Sequence, residues 1–372
     1  MLRQLLLAVL AASALACAAP EPGPVSSDLA AVVAERSAAD LRARLDREVP
    51  ALLVDHKVPS VSIAVMRRGR LELAAAYGFQ SPGVPATTLT LYNIASLTKP
   101  LTAEVVLRLA SKGLLSLDEP MANFWTDPDI ASDPRRMILT ARLALTHQTG
   151  FPNWRDRKTG LKFKRDPGTG YGYSGEGYEY LARFAEKKVG RPFEELAQIY
   201  LFDEVGMKDT AYTGRPWFEG RIAVPTNAEG KPLEPHIAKH YSAADLVYTT
   251  PTDYAAFLAK VWEDSGLTAQ VARDRIRIHV SMMEDCSGAA AATCPPALGF
   301  GLGWEVAAFP HDTLLLHTGH DDGLYTVAYL DKSTGDGVVI FTNGQNGSEI
   351  APALVSLIGV CPPCVRFLQG QI

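Results

Sequence analysis

The sequence contains no basic tract, no internal repeat and no low-complexity segment. Without clustered lysine and arginine, and with a formal net charge of −5, it lacks the electrostatic footprint of a nucleic-acid-binding protein. Hydrophobic residues make up 47% and charged residues 21% of its 372 residues, as in an ordinary globular protein with a sizeable core. The length predicts two packed units, or one large domain with an insertion.

The N-terminal apolar stretch, Leu5–Leu15, is too short to span a membrane. Arg3 precedes it and small residues follow, which predicts an export signal over residues 1–16. Cys17 lies where a bacterial lipobox would place its lipid-carrying cysteine, and residues 17–27 form a proline-rich tether. The sequence therefore predicts a periplasmic protein. Two alternatives remain open: membrane attachment through a lipid on Cys17, or simple secretion after cleavage nearby.

Cysteine is scarce, with five residues in the whole chain. If Cys17 carries a lipid, an even set of four remains in an oxidising compartment, and two disulfides are expected. The local pairing would join Cys286 to Cys294 and Cys361 to Cys364. A redox role for the last pair would need a strand-to-helix context, and a four-cysteine zinc site is less favoured outside the cytosol.

Hydrophobic periodicity predicts strands at both ends of the chain and helices between them. A helix is expected over residues 28–56 and a closing helix over Glu349–Val360, with a mostly helical stretch from Ser96 to about residue 265. The two ends should therefore share one sheet, with a helical unit inserted. The predicted strands are Val61–Met66, Leu71–Tyr77, Trp304–Ala307, Leu314–Thr318, Leu324–Leu330 and Val338–Thr342.

A Ser-x-x-Lys motif opens the central helix, at Ser96 and Lys99. Pro100 is tolerated only in the first turn of a helix, so Ser96 should lie at or beside the N-terminus. Residues three apart share a helix face, and a desolvated lysine can take the proton of a serine hydroxyl. A chain of this length contains about one such motif by chance, so the motif alone does not establish catalysis.

Two other stretches carry chemistry. Tyr173 lies in a glycine-rich segment before a helix that begins near Glu176, where a tyrosine can exchange protons with a hydroxyl. His317, Thr318 and Gly319 end a predicted strand, and the glycine would let a ligand approach the backbone closely.

The ordered set of motifs resembles the serine β-lactamase-like hydrolases of class C type over about residues 45–345. This group includes class C β-lactamases, serine D-alanyl-D-alanine carboxypeptidases, D-amino-acid amidases and esterases. The motifs that carry the resemblance are Tyr92–Lys99, Leu145–Gly150, Pro167–Ser174, Gly301–Trp304, His317–Gly319 and Thr342–Gly344.

The resemblance implies an α+β fold of the β-lactamase/transpeptidase-like type. An α/β domain with an antiparallel sheet flanked by helices would be built from residues 28–95 and 297–372. Residues 96–296 would form an inserted helical half with insertions, and a cleft would lie between the two.

The resemblance also implies roles. Ser96 would be the acyl-enzyme nucleophile, Lys99 its activating partner and Tyr173 the residue that handles protons. Thr318 and Gly319 would line the substrate, and His317 would replace the lysine of the lactamase strand. The backbone N–H groups of Ser96 and His320 would form the oxyanion hole.

One departure bears on specificity, because Gly175 replaces the asparagine of the family's Tyr-x-Asn motif. Without that amide, esters should be preferred to β-lactams and peptides. We therefore predict an exported serine hydrolase that acts on an ester or amide of a small-molecule or peptide-like substrate, of cell-wall or D-amino-acid type. No cofactor and no metal are expected, since alternation places His317 and His320 on opposite strand faces. The rival is a catalytically silent ligand sensor or scaffold on the same fold.

Overall fold

The computed structural model describes residues 27–284, 286, 293–359, 361 and 365–368, with side chains from residue 38 onward. Cys17, Cys364 and the predicted export signal lie outside these ranges, as does the tether up to residue 26. The residues from 41 onward form one compact unit. Among the helices in the described ranges, none is both long enough and apolar enough to cross a membrane.

A nine-stranded antiparallel sheet forms the centre of this unit, in the order β3-β2-β1-β11-β10-β9-β8-β7-β6. Strand β1 near the N-terminus pairs with β11 near the C-terminus, from Val61 opposite Thr342 to Met66 opposite Gly337. The predicted sharing of one sheet by both ends of the chain is therefore observed. The strands are β1 Ser60–Arg67, β2 Arg70–Ser81, β3 Val84–Pro85, β4 Tyr92–Asn93, β5 Tyr248–Thr249, β6 Val280–Ser281, β7 Ala297–Phe300, β8 Glu305–Ala308, β9 Thr313–Asp321, β10 Leu324–Asp331 and β11 Gly337–Thr342, with β4 and β5 forming a separate pair.

Helices cover both faces of the sheet because successive strand residues point to opposite sides. In β1, Ile63 and Val65 pack on one face and Ala64 and Met66 on the other. The first face is covered by the helices nearest the two ends of the chain, and the second by helices from its middle. The helices are α1 Ser27–Asp55, α2 Thr98–Ser111, α3 Ala141–Leu145, α4 Gly175–Val189, α5 Phe193–Ala197, α6 Asp203–Val205, α7 Pro251–Trp262, α8 Ala269–Ile276 and α9 Gly347–Ile358.

Helix α2 is buried on nearly all sides, as its apolar pattern predicts. Its charged residues are buried with it, and Glu104 forms an ion pair of 2.8 Å with the fully buried Arg275 of α8. An ion pair of this kind fixes the relative position of two elements more than it adds stability.

The prediction of a mostly helical chain up to residue 265 is wrong for residues 207–247. That stretch contains a single short 3-10 helix, Pro216–Phe218. Four prolines, at positions 216, 225, 232 and 235, remove backbone donors and restrict the preceding residues, so no regular helix can run through it.

Strand β9 changes its surroundings along its length. Its first half is paired on both sides, with β10 and with β8, up to the pair Glu305 and Leu316. From His317 to Asp321 it pairs with β10 alone. The backbone of this second half therefore presents a free edge, which runs past the N-terminus of α2.

Candidate active site

Ser96 lies in a 3-10 turn, Ala95–Leu97, that leads directly into α2. The turn is tight, because Ala95 has a φ of +45° and its N–H donates to the Oδ1 atom of Asn93 at 2.9 Å. The residues on both sides are fully buried, whereas Ser96 keeps partial exposure. The strained turn and its hydrogen bond to Asn93 present one hydroxyl at the start of a buried helix.

Lys99 is fully buried, and its amine has two partners. The Nζ atom donates to Ser96 Oγ at 2.8 Å and to the backbone oxygen of Ala244 at 2.9 Å. Three contacts hold this second partner in place. The N–H of Ala244 donates to Oε1 of Glu179, Thr102 Oγ1 donates to the oxygen of Ala243, and the N–H of Val247 donates to the hydroxyl of Thr98. Hydrogen bonds to the backbone therefore direct the lysine amine towards the serine, and these contacts involve no exposed charged side chain.

Tyr173 completes a group of three around the same amine. Its ring centroid lies 4.8 Å from Lys99 Nζ, and the ring is partly exposed. On its other sides it contacts the rings of His147, at 4.4 Å between centroids, and of His317, at 6.2 Å. The structure thus brings Tyr173 and His317, which lie far away in sequence, to the pair formed by Ser96 and Lys99.

His147 was assigned no role from the sequence, although its motif was part of the ordered set. Its Nδ1 atom accepts the backbone N–H of Ser174 at 3.0 Å, next to Tyr173. Complete burial lowers the pKa of His147 well below its usual range, and the nearby Lys99 and His317 lower it further. The imidazole is therefore neutral, with its proton on Nε2, and it fixes both the ring and the backbone beside Tyr173.

His317 is also neutral, for the same reason. Burial first, and then Lys99, lower the pKa of His317 to about 3. Its Nδ1–H donates to the oxygen of Thr318 at 2.7 Å, which leaves Nε2 as an acceptor. Among the described residues this Nε2 atom has no hydrogen-bond partner. His317 therefore places a neutral acceptor on β9, next to the ring of Tyr173.

Gly319 allows β9 to pass very close to the nucleophile. A Cβ atom there would lie 2.4 Å from the oxygen of Ile94 and 3.1 Å from the backbone nitrogen of Ser96, so no larger residue fits. Since a two-residue turn closes the β9–β10 hairpin after Asp321, the alternation of antiparallel pairs turns the N–H of His320 away from β10. That donor and the N–H of Ser96 can converge on one oxyanion.

Thr318 and His320, two of the predicted substrate-binding residues, both lie in the second half of β9. The imidazole of His320 is exposed, with Nε2 2.8 Å from Nε2 of Gln345. Thr318 is partly exposed on the free edge of β9. Both positions can contribute backbone groups to a bound substrate.

Gly175, at the start of α4, has no side chain, and the ring of a neighbouring residue takes up the space beside it. A Cβ atom at this position would lie 2.7 Å from the indole ring of Trp154. The space that an asparagine side chain would need is therefore filled by an aromatic ring from the loop before α4. Sequence reasoning missed Trp154, because no local pattern connects it to Gly175.

Acidic groups also lie near the nucleophile. Burial raises the pKa of Asp245 to about 7, an increase that Lys99 opposes and Asp321 assists. Asp321, Asp322 and Glu234 line a cavity of about 300 Å³ that also borders Asn93, three residues before Ser96. This end of the site is unfavourable for a substrate carboxylate.

The cysteines lie apart from these groups. A disulfide with an S–S distance of 2.05 Å joins Cys286 and Cys294. Cys361 is disulfide-bonded, and Cys364, its predicted partner, lies outside the described residues. In the described part of the chain, one group could offer three metal-ligand atoms, namely Asp312, Asp331 and Cys361. Because the sulfur of Cys361 is oxidised, it is not the thiolate that a metal would need.

Comparisons with known proteins agree with this geometry. The sequence model of the Beta-lactamase family matches residues 30–358. Esterase EstB of Burkholderia gladioli is 24% identical, over 86% of this chain and 95% of the relative. The D-alanyl-D-alanine-carboxypeptidase/endopeptidase AmpH of Escherichia coli K12 is also 24% identical, over 64% and 67%. The solved D-alanine carboxypeptidase AmpC of Burkholderia cenocepacia superposes with a TM-score of 0.70 at 21% identity, over 86% of this chain and 99% of its own. The fold is therefore of the β-lactamase/transpeptidase-like type, as predicted.

Proposed function

This chain belongs to the Beta-lactamase family of serine hydrolases, and we propose that within it the protein is an exported esterase that works through an acyl-enzyme on Ser96. One observation carries the proposal. The amine of the buried Lys99 lies 2.8 Å from the partly exposed hydroxyl of Ser96, with the ring of Tyr173 against the same amine.

In the proposed acylation, Ser96 Oγ attacks the carbonyl carbon of the ester and its proton passes to the unit formed by Lys99 and Tyr173. The N–H groups of Ser96 and His320 hold the oxyanion of the tetrahedral intermediate. The bond between the carbonyl carbon and the alkoxy oxygen then breaks, and the departing alcohol takes the proton. Water repeats the attack on the acyl-enzyme, which releases a carboxylic acid and restores the serine.

Two features support esters over amides and peptides. At Gly175 no side chain can bind an amide carbonyl, and an unpaired polar group of this kind costs about 1–3 kcal/mol. In the cavity that borders Asn93, the carboxylates of Asp321 and Asp322 would repel the C-terminal carboxylate of a peptide. The alkoxide of an ester is a better leaving group than the amine of an amide, so ester cleavage depends less on such contacts. Esters are therefore the substrate class that this site favours.

The place of action follows from the sequence. The apolar stretch before Cys17 and the disulfide at Cys286–Cys294 support a periplasmic protein, with lipid attachment at Cys17 as the mode of anchoring. Mass spectrometry of the mature N-terminus tests the anchor, since a diacylglyceryl group on Cys17 and a plain cleaved terminus differ by several hundred mass units.

The nucleophile is tested with a fluorophosphonate probe and a small ester such as phenyl acetate. The wild-type protein should gain the mass of one phosphonyl group and hydrolyse the ester, and Ser96→Ala should do neither. Ser116→Ala, which removes a serine outside this group, serves as the matched control and should behave like wild type. An adduct that persists on Ser96→Ala would refute the assignment. A wild-type protein that neither labels nor hydrolyses would favour the silent sensor.

A further inference from the structure

The loop before α4 is closed tightly at its base. The N–H of Gly172 donates to the oxygen of His147 at 2.9 Å, and the N–H of Lys164 donates to the oxygen of Gly150 at 2.8 Å. Residues 151–163 therefore leave and rejoin the protein beside Tyr173. We call these residues the cleft loop.

The two cleft-loop residues before Trp154 are hydrogen-bonded to the start of α4. Ser174 Oγ donates to the oxygen of Pro152 at 2.7 Å, and the N–H of Gly175 donates to Oδ1 of Asn153 at 2.9 Å. The N–H of Glu176 donates to the oxygen of Asn153 at 3.0 Å. The N-cap Ser174 and the first two residues of α4 thus hold the two residues that precede Trp154.

The residue that follows Trp154 is held just as firmly. The guanidinium of Arg155 binds both oxygens of Glu176, with a shortest distance of 2.7 Å, and also contacts Asp127 at 2.8 Å and Asp129 at 3.1 Å. The carboxylates of Glu176 and Asp127 are buried, so these ion pairs are better shielded than surface pairs. These anchors fix the backbone on both sides of Trp154, and the indole packs against Gly175.

The indole of Trp154 is nevertheless exposed. Its exposed fraction is 47%, and it is the one tryptophan of the described chain in the exposed class. The ring covers Gly175, two residues after Tyr173, whose own ring lies against the amine of Lys99. A large apolar ring that is open to solvent and carried by a fixed backbone so near this group is typical of a binding surface.

We propose that Trp154 binds the acyl group of the substrate and selects esters whose acyl group carries a flat apolar ring. The inference rests on the function proposed above and specifies its substrate class. Since Gly175 has no side chain, the indole takes the space of a side chain two residues after Tyr173. The acyl group stays on Ser96 through both steps of the proposed reaction, so a contact made to it acts on both. Offset stacking on a tryptophan favours a planar ring, and the rigid anchors keep the entropic cost of the contact low.

Two isomeric esters separate the acyl side from the alcohol side. Methyl phenylacetate carries its ring in the acyl group, and benzyl acetate carries it in the alcohol. We expect Trp154→Ala to lower kcat/KM for methyl phenylacetate about tenfold, mainly through KM, and to change benzyl acetate by less than about twofold. Trp154→Phe should restore most of the loss. Phe79→Ala, which removes a similarly exposed aromatic from β2, should change neither substrate.

Binding measured without turnover provides a second test of the proposal. In the Ser96→Ala background, calorimetry should detect methyl phenylacetate binding that Trp154→Ala weakens by a similar factor. Equal losses for both esters would make Trp154 a structural anchor and overturn the proposal, and a loss confined to benzyl acetate would place the indole on the alcohol side. Should wild type hydrolyse neither ester while the calorimetric difference persists, the proposed function would fail and the binding site would stand.

Discussion

The two walls of the cleft around Ser96 are held in place by different forces. On one wall, Lys99, His147 and His317 are buried and are positioned by backbone atoms. On the other wall, Trp154 is exposed and is positioned through the ion pairs of Arg155. Lys99 and the two imidazoles are thus insulated from solvent, whereas the surface assigned to recognition depends on side chains. Evolution can change the second wall without disturbing the first.

The strongest test of the insulated wall is removal of its proton-handling groups. Lys99→Ala and Tyr173→Phe should each lower kcat for a small ester by roughly 10²–10⁴, the usual range for general acid–base groups. Because the two act as one unit, the double variant should lose far less than the product of the single losses. Steady-state kinetics on the three variants decides this. Losses that simply multiply would mean that the two residues act independently.

Replacement of His147 should lower kcat by a smaller factor and leave KM nearly unchanged. His147→Ala removes the acceptor for the N–H of Ser174 and the ring that packs on Tyr173, and a misplaced catalytic group can cost up to about 10²-fold. We expect a fall in kcat of ~10–100-fold with little change in KM. His147→Asn, which can offer an oxygen to the same N–H, should recover part of it. An increase in KM alone would assign His147 to substrate binding.

The recognition wall should respond more weakly. Arg155→Lys keeps a positive charge but cannot bind both oxygens of Glu176, so the indole should become less fixed. We expect KM for methyl phenylacetate to rise about two- to fivefold and kcat to stay within twofold of wild type. Arg157→Lys, an exposed position in the same loop, is the matched control. Equal changes in KM in both variants would show that the effect does not depend on the ion pairs of Arg155.

The smallest effect concerns stability and pH. Since burial raises the pKa of Asp245 to about 7, the folded protein keeps a proton between pH ~4 and ~7 that the unfolded chain releases. This group therefore makes the free energy of unfolding fall as pH rises through that interval. Asp245→Asn should remove the contribution and raise Tm relative to wild type at pH 8 more than at pH 4. Equal Tm differences at both pH values would contradict the assigned pKa.

Local patterns were enough to predict the insulated wall in part. The three-residue spacing of Ser96 and Lys99 and the position of Pro100 place the serine correctly beside the helix start. The alternating strands predicted how the two ends of the chain share one sheet. The contact between Trp154 and Gly175 could not be predicted, because they lie 21 positions apart in sequence and the chain between them is mostly irregular. His147 was missed for a related reason, since its function depends on a backbone N–H 27 residues away.

The neutral state of His317 also affects how substrates reach the site. A lysine at this position would create a positive potential that draws anions in from a distance and makes association sensitive to ionic strength. An uncharged imidazole creates no such field, and Asp321 nearby disfavours the approach of anions. Substrates of this enzyme should therefore arrive by unassisted diffusion, at rates that change little with salt, and compete for the site by shape and not by charge.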